Sequence, residues 1–189
     1  FLLKFIIKKM RHGISLRNSN LKNLSAYFLS NLNTYRELDL SENQIEDISL
    51  LSNITTLTDL NISSNKLFDI SPLSSLINLK TLKADINQIE DISALTKLVK
   101  LKSLSLNFNK LSVIPKLSNL KELEILDLND NQLMNISNIN DLRNLRELAL
   151  NNNNLTDIKE LEGLDNLIEL WLINNQLNNI PKLESLNNL

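Results

Sequence analysis

Apolar residues recur along most of this chain with a fixed spacing. From Tyr35 onward the sequence falls into seven units of 22 residues, beginning at Tyr35, Leu57, Leu79, Leu101, Leu123, Leu145 and Leu167. Numbered from that first residue, apolar side chains occupy positions 1, 4, 6, 11, 14, 17 and 20, an Asn occupies position 9, and an Asp often occupies position 13. A period of this length, held through seven cycles, implies a stacked repeat in which each unit buries its apolar face against its neighbours.

Positions 3–7 alternate polar and apolar, as in Glu37-Leu38-Asp39-Leu40-Ser41. That is the pattern of a short strand with one buried face. Strands of successive units are expected to pair in parallel, ~4.8 Å apart, so the seven span roughly 30–35 Å. Apolar residues at 14, 17 and 20 are three apart and suit a 3₁₀ turn or short helical turn on the opposite side. Strands pack closer than helical turns, so the stack must bend with its strands on the concave face. The Asn at position 9 sits where the chain leaves the strand. Its amide is expected to satisfy main-chain groups of its own and the neighbouring unit in a buried ladder. The Asp at position 13 (Asp47, Asp69, Asp91, Asp157) precedes the convex turn and can cap free N–H groups. Stacked carboxylates can also bind Ca²⁺, but Val113, Asn135 and Asn179 break the series. Pro72, Pro115 and Pro181 fall beyond the strands, where no ladder bond is lost. Ala84 stands alone at position 6, where every other unit has Leu or Ile; either a neighbour fills the space or the stack pinches there.

The ends differ from the middle. Residues 1–13 are expected to form an N-terminal cap segment: wound as a helix, Leu2, Leu3, Ile6, Ile7 and Met10 share an apolar arc opposite Lys4, Lys8 and Arg11. The other reading of this segment is the tail of a signal or membrane sequence, although its lysines interrupt it too often for a membrane span. Residues 14–34 read as a degenerate first repeat, with Ile14, Leu16, Leu21 and Leu24 in register and two extra residues before Leu29 and Leu32. Residues 35–188 are the seven regular repeats, and Leu189 begins a further one, so the chain reads as a piece of a longer protein.

Composition narrows the chemistry. Among 189 residues there is no Cys, hence no disulfide, thiolate metal site or Cys nucleophile. His12 is the only His and lies outside the repeats, so no Ser-His-Asp arrangement can form on the concave face. An open sheet offers no closed cleft to desolvate a carboxylate pair. A non-enzymatic protein without cofactor or metal is expected. The net charge of −2 hides a sorting by face. Concave positions 3, 5, 7 and 8 carry Glu37, Asp39, Glu42, Asp59, Asp85, Asp127, Asp130, Glu147 and Glu169 against one base, Lys83. That face therefore carries −8 and the remainder of the chain +6. Such a wall steers a partner of opposite sign and repels nucleic acid; alternatively, the acids merely keep an open sheet soluble. Outward apolar residues gather toward the C-terminal half, at Ile125, Ala149, Trp171 and Ile173, with Phe108 at the border. An exposed Trp among charges has the composition of a binding hot spot.

The L-x-x-L-x-L-x-x-N-x-L core with D-I-S-x-L in the second half of the unit resembles the SDS22-like class of leucine-rich repeats, over residues 14–189. The resemblance implies an α/β solenoid: a right-handed horseshoe with a parallel concave β-sheet and a convex side of 3₁₀ or short helical turns. Two branches fit. DISPLSSL at 69–76 and DISALTKL at 91–98 look like internalin-type bacterial surface proteins, which grip host receptors with the concave face. LIELWLINNQL at 167–177 looks like the SDS22 regulators of phosphatase-1, which bind through concave acidic and aromatic side chains; Glu169 and Trp171 match such a pair. The first branch implies the cell surface or secretion, the second the cytoplasm or nucleus. Asn61, in one of five N-x-S/T sequons, would place a glycan on the binding face in a eukaryotic secretory pathway, which disfavours a secreted eukaryotic protein. The expected function is a monomeric interaction scaffold for a protein with a basic and apolar surface, without nucleic acid or membrane insertion; the further alternative is the recognition module of a larger protein. The partner-binding residues expected are Glu37, Asp39, Asp59, Asp85, Ile125, Asp127, Glu147, Glu169, Trp171 and Ile173.

Overall fold

Each strand of the regular repeats is built on an inward leucine between two outward residues. In the computed structural model the described residues are 8–9, 13–25, 32, 34–178, 186 and 188–189. They contain nine strands: β1 (Lys8–Lys9), β2 (Gly13–Ser15), β3 (Glu37–Asp39), β4 (Asp59–Asn61), β5 (Thr81–Lys83), β6 (Ser103–Ser105), β7 (Ile125–Asp127), β8 (Glu147–Ala149) and β9 (Glu169–Trp171). All lie in one open sheet in chain order. From β2 to β9 every pairing is parallel, and the chain is a solenoid horseshoe. Leu38, Leu60, Leu82, Leu104, Leu126 and Leu148 stack in register across the sheet and are almost fully buried.

Ile14 of β2 pairs with Leu38 of β3, two residues beyond the regular offset, as the extra residues in the degenerate repeat require. The N-terminal segment departs from expectation. Lys8–Lys9 is not helical but pairs antiparallel with β2, Lys9 opposite Ile14. The free edge of β2 presents unpaired N–H and C=O groups, and an added strand satisfies them where a helix would not. Residues 1–7 and 10–12 of the expected helix, His12 included, lie outside the described residues.

The strands are also shorter than expected, covering positions 3–5. The ladder nevertheless continues: Leu40 N–H donates to Asn61 O at 2.7 Å and Glu42 N–H to Ser63 O at 2.9 Å. The strand ends because position 8 of every regular repeat turns left-handed, with φ between 53° at Ile86 and 56° at Glu42. This conformation costs an L-residue about 1–2 kcal/mol. It swings the chain toward the convex side.

The position 9 asparagines fasten that turn. Asn109 Nδ2 donates to Leu106 O of its own repeat and to Ala84 O of the preceding one, both at 3.0 Å, while its Oδ1 accepts Ile89 N–H at 3.0 Å. Asn43, Asn65, Asn87, Asn131, Asn153 and Asn175 repeat the same triad of roles. The main-chain ladder passes through Ala84 unbroken, with Ala84 N–H donating to Ser105 O at 2.9 Å.

On the convex side four 3₁₀ turns occur among the described residues: Ser49–Asn53, Ser71–Ser75, Ser93–Lys97 and Lys159–Leu161. Each follows an Asp at position 13, whose Oδ1 accepts the N–H two residues on, at 2.7 Å for Asp47, 2.7 Å for Asp69, 2.8 Å for Asp91 and 3.0 Å for Asp157. Where Val113 holds that position no such turn forms, and Pro115 would have no N–H to offer. At Asn135 the bond to Ser137 N–H lengthens to 3.3 Å, again without a 3₁₀ turn.

Truncating Asn109 to Ala should leave buried main-chain groups of two repeats unsatisfied, at ~1–3 kcal/mol for each such group. Lys110 is exposed, so Lys110→Ala should be close to neutral. Urea denaturation midpoints compare the two; equal midpoints would remove the ladder from the account.

Candidate partner-binding face

Strand alternation turns positions 3 and 5 outward onto one surface, and register lines them up in rows. The position 3 row runs Glu37, Asp59, Thr81, Ser103, Ile125, Glu147, Glu169; the position 5 row runs Asp39, Asn61, Lys83, Ser105, Asp127, Ala149, Trp171. Glu37 thus stands beside Asp59, and Glu147 beside Glu169.

Two hollows divide this surface. One, of about 370 Å³, is lined by Glu37, Asp39, Asp59, Asn61, Thr81 and Lys83. The other, of about 250 Å³, is lined by Ile125, Asp127, Asn129, Glu147, Ala149, Asn151 and Trp171. Their middle strands, β4 and β8, are four steps apart, roughly 19 Å at the usual strand spacing. Of the residues expected from the sequence, Glu37, Asp39 and Asp59 share the first hollow and Ile125, Asp127, Glu147 and Trp171 the second. Glu169 and Ile173 flank Trp171 on β9 and beyond it. Asp85 belongs to neither hollow. A third hollow, of about 630 Å³, lies on the flank, where Lys102, Arg146, Glu122 and Glu124 mix both signs.

Trp171 is 37% exposed and Ile173 66%. Ala149, opposite Trp171, is buried at 7% and leaves space beside the indole. Among the described residues, Glu42 is the one concave acid with an ion-pair partner, Arg17 at 2.5 Å. The other concave acids have no ion-pair partner among the described residues.

The carboxylates are not equivalent. Asp39 Oδ1 accepts Ser41 N–H at 3.0 Å and its Oδ2 accepts Ser15 Oγ–H at 3.0 Å, tying β3 to β2. Asp85 belongs to a second side-chain ladder, at position 7, that the sequence reading did not include. Asp85 Oδ1 accepts Asn107 N–H at 2.8 Å, Asn107 Oδ1 accepts Asn129 N–H at 2.9 Å, Asn129 Oδ1 accepts Asn151 N–H at 2.6 Å, and Asn151 Oδ1 accepts Ile173 N–H at 2.7 Å. Asn107, Asn129 and Asn151 recur at the unit period, and that recurrence was the available signal. Asp127 is half-buried beside this ladder. It accepts Asn107 Nδ2–H at 2.6 Å and Asn129 Nδ2–H at 2.7 Å. Desolvation pushes its pKa above the ordinary Asp value, against those hydrogen bonds, with Asp85 and Asp130 adding a smaller upward push.

No group of three or more His, Cys, Asp or Glu side chains converges as metal ligands among the described residues. No described helix is long and apolar enough to cross a membrane.

These features are shared with known proteins. "Leucine Rich repeats (2 copies)" describes residues 143–188, and "Leucine Rich repeat" describes residues 33–52 and 53–69. The structure of internalin C2 from Listeria monocytogenes is 33% identical, with a TM-score of 0.86, over 94% of this chain and 78% of that one. The chain belongs to the leucine-rich-repeat proteins. Another Listeria monocytogenes internalin, inlF, is 35% identical with a TM-score of 0.84, over 90% of this chain. A leucine-rich-repeat protein of Leptospira interrogans is 31% identical with a TM-score of 0.87, over 93% of this chain. The chain spans 50% of inlF and 46% of the Leptospira protein. The sequence matches none of the curated proteins. Leucine-rich-repeat folds act in general as protein-interaction modules.

Because the folded pKa of Asp127 is raised, its contribution to stability is present below the ordinary Asp range and is lost as pH rises through the folded value. Asp127→Asn should therefore melt higher than the parent at neutral pH, and the gap should narrow as the pH falls. A lower melting temperature at neutral pH would mean that the ionised carboxylate is needed by Asn107 and Asn129.

Proposed function

We propose that this protein is a non-enzymatic recognition scaffold that binds a protein partner on its acidic concave face. The observation that carries the reading is a run of carboxylates without ion-pair partners in the described structure, ending at an outward Trp. A partner with basic and apolar groups satisfies both: its cations meet Glu37, Asp59, Glu147 and Glu169, and an apolar or guanidinium group stacks on Trp171. Nucleic acid would meet like charge on the same wall. Two hollows roughly 19 Å apart suit a folded surface or an extended segment of about six residues better than a small ligand.

Of the two branches, the internalin-type one is preferred. Two of the similar structures are internalins, and DISPLSSL and DISALTKL supply the same reading from the sequence. The partner is then a receptor on another cell, and the protein works at the cell surface or after secretion. The adaptor reading, as an SDS22-like phosphatase regulator, rests on LIELWLINNQL at 167–177, with its Glu169 and Trp171.

Association with the partner should slow steeply as salt is added, and Asp39→Lys with Asp59→Lys should slow it further. Trp171→Ala should weaken binding by about thirtyfold, or ~2 kcal/mol, with little change in folding. Trp171 is the only Trp, so its emission should shift blue on binding. A salt-independent rate together with full affinity in Trp171→Ala would place the interface elsewhere.

A further inference from the structure

Position 8 is the most demanding site in each repeat, since it turns left-handed every time. After Gly, Asn and Asp tolerate that conformation best, and three of the seven regular repeats use them: Asp130, Asn152 and Asn174. These side chains also bond to one another, Asn152 Nδ2 to Asp130 Oδ1 at 2.8 Å and Asn174 Nδ2 to Asn152 Oδ1 at 2.8 Å. Ile86 and Phe108 do neither. Both sit at φ 53°, where Ile, branched at Cβ, is among the least tolerated residues. Burial does not compensate, because Ile86 is 54% exposed and Phe108 57%. The turn would be easier with Asn at either position, so the turn itself gains nothing from these two side chains. Strain kept without a structural return points toward function.

The two residues are adjacent. Ile86 N–H donates to Asn107 O at 2.8 Å, and Asn87 N–H donates to Phe108 O at 3.3 Å. Their Cα atoms are thus about one strand spacing apart, ~4.8 Å. Acids stand on both sides: Asp85 precedes Ile86, and Asp130 occupies the next step after Phe108. Neither has an ion-pair partner among the described residues. The result is an apolar step in an acidic border, on the rim between the two concave hollows.

We infer that the Ile86–Phe108 step is a rim anchor of the interface, taking an aliphatic or aromatic side chain of a protein partner that carries a Lys or Arg beside it. The cation meets Asp130 or Asp85. This rests on the concave-face reading and extends it: the partner chain leaves the concave wall over this rim.

The test uses the intact chain, ¹⁵N-labelled, and a capped synthetic peptide of alternating Leu and Arg. The expected result is amide shifts at Ile86, Asn87, Phe108 and Asn109, and an affinity about tenfold weaker in the double variant Ile86→Asn, Phe108→Asn. That variant should also melt higher than the parent, the opposite sign to its loss of binding. Unperturbed rim amides, full affinity in the double variant, or a lower melting temperature would each overturn the inference. Trp171→Ala, run in parallel, separates the two readings. Loss there with full binding in the rim variant sinks the rim anchor and keeps the concave reading. Loss only in the rim variant removes Trp171 as an anchor of the concave face and keeps the rim.

Discussion

A single buried side-chain amide sets the geometry of the whole stack. Where the chain leaves each strand it must turn inside a crowded interior, and the groups exposed by the turn cannot reach water. The position 9 Asn meets them from one side chain: its Nδ2 spans two repeats and its Oδ1 takes an N–H from the preceding one. Leaving any of those groups bare costs ~1–3 kcal/mol, so a neighbour out of step by one residue loses several such groups at once. The same shift would turn every inward Leu outward. Amide ladder and leucine rows thus enforce one register, and the 22-residue unit is its trace in the sequence.

With register fixed from inside, the outward positions carry little of the fold, though not equally little. Asp39, Asp85 and Asp127 face the concave side and are held by Ser, Asn or main-chain donors. They support the wall as much as they charge it. The side chains of Glu37, Glu147 and Glu169 make no hydrogen bond among those described, and the Asp59 carboxylate accepts only from the neighbouring Thr58 hydroxyl. The charge open to a partner is concentrated in the position 3 row, and the apolar surface sits beside its C-terminal end at Trp171 and Ile173.

Much of this was legible in the sequence because period and chemistry agree. The inward Leu of each strand follows from alternation, the Asn ladder from a polar residue held in an apolar frame, and the convex caps from Asp at position 13. Three features were hidden for different reasons. The position 8 conformation leaves no mark in residue type, since Glu42, Ile86 and Phe108 all adopt it. The position 7 ladder uses ordinary Asn residues whose acceptor role depends on where the next repeat places its N–H. Lys8–Lys9 lies in a segment with helical spacing, but an open edge of β2 is a tertiary demand that local pattern does not express. Position 13 was partly legible: Val113 visibly breaks the Asp series, while the loss of the turn there and the role of Pro115 depend on the turn geometry.

The central claim is that inward residues carry the fold and leave the position 3 row free for recognition. Replacing Glu37, Asp59, Glu147 and Glu169 together by Lys reverses that row without touching an inward side chain. Thermal unfolding followed by circular dichroism measures the consequence directly. The variant should keep the parent's spectrum and cooperative transition, with a midpoint within a few degrees. A chain that fails to fold, or that melts far below the parent, would show that the acidic row is part of the frame.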